Sequence, residues 1–252
     1  MKSISAIYKI GKGPSSSHTM GPEKASSIFL FENPTADSFR VTLYGSLSKT
    51  GRGHGTDTVI LEVLGSERTE IIWDNDTTDL PHPNTMVLEA FREGHLIGHM
   101  RAMSIGGGDI SIEGRPDITL PDIYHENSFS AIAAICKSRN IRLCQYVREI
   151  EGEEIVNYMT RVWHTMQDAI SKGLSTSGIL PGGLNVERKA QYLYNQRHMD
   201  ESAMTRENRI VCAYAFAVGE QNADCGPIVT APTCGACAVL PSVLKYMQQS
   251  RG

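Results

Sequence analysis

Apolar residues recur with two different periods along this chain, and the switch between them restricts it to two kinds of structure in succession. Phe39, Val41, Leu43, Gly45 and Leu47 alternate with polar residues, as do Met86, Leu88 and Ala90 and then Leu96, Gly98, Met100 and Ala102. A period of two is that of a half-buried strand, and Glu93-Gly94 between the last two runs predicts a hairpin. Two helical stretches share this part: one from Pro22, with Ala25, Ile28 and Phe29 on one face, and one capped by Thr56 and Asp57, carrying Val59, Ile60, Val63 and Leu64. After about residue 127 the period becomes helical. Ile155, Met159, Val162, Trp163, Met166 and Ile170 form one stripe that ends at Gly173, and Arg209–Val218 is apolar all round, the mark of a helix with neighbours on every side. The pattern predicts an α+β N-terminal domain (mixed sheet with helices) over residues 1–127, a linker region over 128–150, and an all-α domain over 151–252.

A net charge of -4 over 252 residues offers no basic field for nucleic acid. The N-terminus lacks the apolar core of a signal peptide, and no apolar run approaches the roughly 18 residues of a membrane span. A cytoplasmic protein acting on small molecules is the expectation, with six reduced cysteines, half of them after residue 220.

Three polar, glycine-rich segments stand apart: Gly13–Thr19 (GPSSSHT), Gly51–Asp57 (GRGHGTD) and Ile228–Ala236 (IVTAPTCGA). Each is read as a loop feeding a helix N-terminus, where unpaired N–H groups and a partial positive charge suit a carboxylate or phosphate. Two readings stand side by side. The serines are plain caps and His18 a solvated loop residue, or hydroxyls and an imidazole surround a bound anion; the glycines flanking His54 allow a close backbone approach to a ligand. Thr233 is a candidate N-cap for the small-residue start of an apolar helix. Cys234 and Cys237 have the spacing of a metal or redox pair but lack a second pair, which favours packing. GxxxxGK[ST], strand-linked GxGxxG, HExxH and GxSxG are all absent, which weakens nucleotide, nicotinamide, zincin and α/β-hydrolase readings.

Taken in order, Ile10–Pro22 (IGKGPSSSHTMGP), Tyr44–Ser48 (YGSLS), Thr50–Asp57 (TGRGHGTD), Ser104–Gly108 (SIGGG), Val162–Met166 (VWHTM), Gly178–Gly182 (GILPG) and Ile228–Thr233 (IVTAPT) resemble the bacterial iron-sulfur-dependent L-serine dehydratases. The resemblance implies conversion of L-serine to pyruvate and ammonia, with an open iron of a [4Fe-4S] cluster as Lewis acid on the serine hydroxyl. It implies that Ser15, Ser16, Ser17, His18 and Thr19 bind the substrate's carboxylate and amino group, that His18 or His54 is the base, and that Thr233 and Gly235 lie at the substrate's other side. Cys234 stands where the family commonly has asparagine. The family's cluster-ligating cysteines lie in later segments, so the resemblance makes none of the six cysteines a metal ligand and implies a C-terminally truncated, incomplete helical domain. The partners implied are L-serine and either a homo-oligomer or a completing C-terminal part. The alternative is a non-catalytic serine- or anion-binding module.

Overall fold

The computed structural model describes residues 1–116, 121–197 and 199–251. Its first part is a five-stranded sheet of β2 (Ser38–Tyr44), β3 (Thr69–Asp74), β4 (Thr85–Arg92), β5 (His95–Gly106) and β6 (Asp109–Ile112), in the order β3-β2-β4-β5-β6. β2 and β3 run parallel and the other neighbours antiparallel. Helices α1 (Gly21–Glu32), α2 (Gly45–Thr50) and α3 (Thr56–Leu64) pack on it. Most of the alternation read from the sequence is the inward face: Phe39, Val41, Leu43, Met86, Leu88 and Ala102 meet Ala25, Phe29, Leu47, Ile60 and Leu64 in one core, whereas Leu96, beyond a register shift at Ala90/Phe91, is exposed. Burying a side chain such as Phe29 or Leu88 contributes about 1.5–3 kcal/mol. The hairpin is present, and Glu93 and Gly94 both have positive φ (51° and 79°), as a two-residue turn between twisted strands requires.

The alternation through Leu47 overran its strand. β2 ends at Tyr44, and Gly45, at φ 55°, turns the chain into α2. Leu47 is buried all the same, from a helix rather than a strand. The reason is a close approach, since a Cβ on Gly45 would stand 2.5 Å from the Pro83 carbonyl oxygen.

The second part is helical: α4 (Phe129–Arg139), α5 (Leu143–Ser175), α6 (Ala190–Asn195), α7 (Ala203–Ala223) and α8 (Val239–Arg251). α5 is interrupted at Gly152, whose φ of 74° is not helical. Gly173 does not end this helix, which runs on to Ser175. Its side-chain position is occupied by α7, with the Ala217 carbonyl oxygen 2.3 Å from where a Cβ would be. Nor is α7 covered on every side: Ala213, Tyr214, Ala217 and Val218 are buried, while Cys212 is exposed and Phe216 is 44% exposed. The two parts are stitched by β1 (Ile10–Lys12), which pairs antiparallel with β7 (Pro227–Val229). Thr230 extends that stitch, its hydroxyl donating to Ile7 O and accepting from Lys9 N. Because the pairing is antiparallel, the two strands exit at opposite ends: Gly13, after β1, donates to Gly226 O before β7, and Thr230, after β7, donates to Lys9 O before β1, so the ladder ties the first polar segment to the end of α7.

Candidate functional site

The first polar segment is itself helical. Ser16–Met20 form a π-helical turn continuous with α1, and the Ser15 side chain caps it by accepting from His18 N at 3.1 Å. In this first turn the N–H groups of Ser16 and Ser17 have no hydrogen-bond partner among the described residues. Ser15, Ser16, Ser17 and His18 are all partly exposed, whereas Thr19 is fully buried. The continuous helix therefore presents two free N–H groups and three hydroxyls at its positive end, a suitable cradle for a carboxylate.

The second segment folds as a 3-10 turn, Gly51–His54, closed by Gly55 in the left-handed region (φ 63°). It rests against the first segment: the His18 and His54 rings are 4.8 Å apart, tilted by 37°. Thr56 was read as a helix cap, but the structure corrects this. Gly55 occupies the cap position, and the Thr56 hydroxyl instead donates across to His18 O at 2.6 Å. Thr19 returns the contact, its hydroxyl donating to His54 O at 2.8 Å.

The two imidazoles are held differently. His54 Nδ1 lies 2.9 Å from Thr50 O, and since a carbonyl only accepts, that nitrogen carries the proton. Nε2 is then left with a bare lone pair in the neutral ring, and no described group bonds to it. His18 has a hydroxyl on each nitrogen, Ser17 Oγ at 2.9 Å from Nδ1 and Ser46 Oγ at 3.0 Å from Nε2. Burial and then the neighbouring His54 hold its pKa below the ordinary 6.5, against an opposing contact with Ser46. A neutral His18 beside a His54 with an open Nε2 can accept a proton at one defined atom.

Both loops lean on the end of α7. A Cβ on Gly13 would stand 2.3 Å from Asn222 O, and one on Gly55 would stand 2.8 Å from Cys225 Sγ. The third segment approaches through Cys234, whose sulfur is 3.9 Å from Met20 Sδ. Thr233 precedes a 3-10 turn, Cys234–Ala236, without a side-chain cap bond, and both Thr233 and Gly235 are exposed. The structure thus brings Ser15, Ser16, Ser17, His18, Thr19 and His54 into one cluster; of the third segment only Cys234 reaches toward it, against Met20, and no hydrogen bond joins Thr233 or Gly235 to the cluster among the described residues. Ser46, Thr50 and Thr56 belong to the cluster without having been singled out for it. The YGSLS motif contained Ser46, yet nothing local marks a serine in a strand-to-helix turn as a partner for an imidazole 28 residues away.

A profile of the serine dehydratase alpha chain matches residues 56–252, and one of the beta chain matches residues 3–72. The chain belongs to the serine dehydratase family. L-serine dehydratase 1 of Escherichia coli strain K12 is 33% identical over 98% of this chain and 66% of its own length. The L-serine dehydratase of Haemophilus influenzae is 32% identical over 99% of this chain and 67% of its own, and that of Streptomyces coelicolor 30% identical over 97% and 65%. The chain thus spans about two thirds of the length of these serine dehydratases, 65–67%.

Whether the described residues suit a [4Fe-4S] cluster is decided by their donors. None of them form a group of three or more His, Cys, Asp or Glu placed to hold a metal. Cys234 and Cys237 are buried in an apolar cluster with Met20, Ile170 and Tyr214, with no third described Cys, His or carboxylate placed beside them, whereas a cluster takes typically four ligands. Cys136, Cys144 and Cys212 lie on three different helices, α4, α5 and α7. These residues do not fit the cluster. No described helix is long and apolar enough to cross a membrane.

Proposed function

We propose that this chain carries the substrate-binding loops and the base of an L-serine dehydratase, an ammonia-lyase that converts L-serine to pyruvate and ammonia. The observation that carries the reading is the His18–His54 pair at 4.8 Å, built from two segments that are far apart in sequence. The unbonded N–H groups of Ser16 and Ser17 and the hydroxyls of Ser15, Ser16 and Ser17 take the carboxylate. His18, kept neutral, orients the bound zwitterion without adding a competing positive charge. His54 Nε2 removes the α-proton, its Nδ1–H anchored on Thr50 O so that the lone pair stays aimed. The C–H electron pair forms the Cα–Cβ double bond as the C–O bond breaks, and the β-hydroxyl departs as water with the proton that His54 has taken up, which returns the ring to its neutral form. The resulting enamine hydrolyses to pyruvate and ammonia without further protein groups. Thr233 and Gly235 border the far side of the substrate.

The [4Fe-4S] cluster implied by the resemblance would be held by residues other than those described here. The reading is tested in an assembly of this chain with the segment of a relative that corresponds to the rest of that relative's length, joined or mixed. In that assembly, reconstituted anaerobically with iron and sulfide, L-serine should yield pyruvate and His54→Ala should abolish turnover with the fold intact. Unaltered rates in His54→Ala would remove His54 as the base.

A second reading, a non-catalytic serine-binding module, is favoured by one observation: among the described residues no group of three or more His, Cys, Asp or Glu is placed to hold a metal. Micromolar binding of L-serine by the metal-free chain, combined with no pyruvate from the complete assembly, selects that reading.

A further inference from the structure

We infer that Thr19 and Thr56 are positioning residues whose reciprocal hydrogen bonds to His54 O and His18 O, together with Ser46 on the His18 ring, set the separation of the two imidazoles. The inference rests on the reading of that pair as the site. Thr19 was expected at the substrate, but it is fully buried and so is Thr56. Each hydroxyl must donate, because its partner is a backbone carbonyl, at 2.8 Å for Thr19 and 2.6 Å for Thr56. Thr19 Oγ1 also accepts from Ser15 N at 3.3 Å, which ties the cap of the first turn to the same clasp. A Cβ on Gly51 would stand 2.9 Å from Thr56 Oγ1 and 3.1 Å from the Trp73 ring, so the turn that bears His54 is pressed onto this hydroxyl.

The arrangement is symmetrical in a useful way. Each loop's threonine fixes the backbone of the other loop's histidine, so neither imidazole can retreat without breaking a buried bond. The charge-bearing group that faces His18 is His54, from the Gly51–His54 turn; α2 contributes the Ser46 hydroxyl, and His18's own turn those of Ser15 and Ser17. Holding two imidazoles this close disfavours protonating both, which keeps one of them available as a base near neutral pH.

The test follows the His18 and His54 ring protons by NMR titration in the full chain, with Thr19→Val, Thr56→Val, Thr19→Ser and Thr56→Ser, and thermal melting as the control for folding. In the wild type, His18 should titrate below 6.5. Each valine variant should raise that midpoint toward the ordinary value as the loops part and water enters, and each serine variant should restore it. A clasp that only stabilised the fold would lower the melting temperature and leave the His18 midpoint of the folded protein unmoved, and that result overturns the inference. Should a valine variant fail to fold, Ser46→Ala decides in its place: the ¹⁵N shifts of His18 must change, and unchanged shifts overturn it. Calorimetry with L-serine on the wild-type chain reads the proposed function separately. A failure to bind serine with the titration shifts intact would sink that function and leave the clasp standing.

Discussion

Gly173 in α5 and Gly219 in α7 make a matched pair in which one substitution should act with opposite signs. Gly219 has open space where a side chain would go, with nothing within 4 Å. Gly219→Ala therefore keeps only the helix-propensity gain and should stabilise the chain by about 1 kcal/mol. At Gly173 an added Cβ would lie 2.3 Å from Ala217 O and 2.6 Å from Ala217 C and Cα, all backbone atoms that no rotamer change can move. Ordinary contact starts at 3.4 Å, so the two helices must part by about 3.4 − 2.3 = 1.1 Å. A gap of that order forfeits a quarter to a half of each contact's dispersion energy around Ile170, Tyr214 and Val218, which are packed in the same core. The cost falls at the upper end of the roughly 1–3 kcal/mol typical of overpacking. Offset by about 1 kcal/mol of propensity, Gly173→Ala should lose about 2 kcal/mol, a fall of roughly 4–8 °C in melting temperature for a chain of this size. Urea unfolding followed by far-UV circular dichroism gives the midpoint and slope for both variants. A Gly173→Ala protein as stable as Gly219→Ala would refute the claim that Gly173 is there to let α7 approach.

Three further outcomes are expected. Gly13→Ala drives a Cβ to 2.3 Å from Asn222 O and so displaces the SSSHT loop, whereas Gly219→Ala, in α7, meets nothing within 4 Å. Displacement of about 1 Å can cost on the order of a hundredfold, so turnover or serine affinity should drop by that order in the first variant and hold in the second; equal values would contradict the loop placement. With a thiol reagent at pH 8 the exposed Cys144 and Cys212 should react in the folded chain, while Cys234 and Cys237, buried and pushed up to about 11 and about 12, should react only on unfolding; rapid labelling of Cys234 would contradict its burial. The folded-state pKa of His18 lies below 6.5, so above 6.5 both states are neutral there; as pH falls through 6.5 the unfolded chain takes up the proton first and the native state loses stability. His18→Gln should flatten the pH dependence of the urea midpoint just below 6.5, and an unchanged slope would show that His18 is not the group responsible.

Residue pattern alone determined the kinds of element and most of their inward faces. Alternation at Phe39, Val41 and Leu43 and the Glu93-Gly94 turn specify strands and a hairpin, and the Ile155–Ile170 stripe specifies a helix, because periods of two and 3.6 follow from backbone geometry. The same local logic fails wherever a residue answers to something distant in sequence. Gly173 was read as a helix end and is a helix crossing; Thr56 was read as a cap and bonds to a carbonyl 38 residues away. The Arg209–Val218 run said that α7 is apolar but could not say that Phe216 faces outward. Of the candidate site, the serines, His18 and His54 were legible as chemistry-bearing residues. Their meeting was not, since the 4.8 Å between the imidazoles depends on α1 packing on α3 and on two buried hydroxyls whose partners lie in the opposite loop. Covalent order and side-chain type are written along the chain, whereas proximity is a property of the packed solid, in which each buried polar group must find a partner wherever folding puts one.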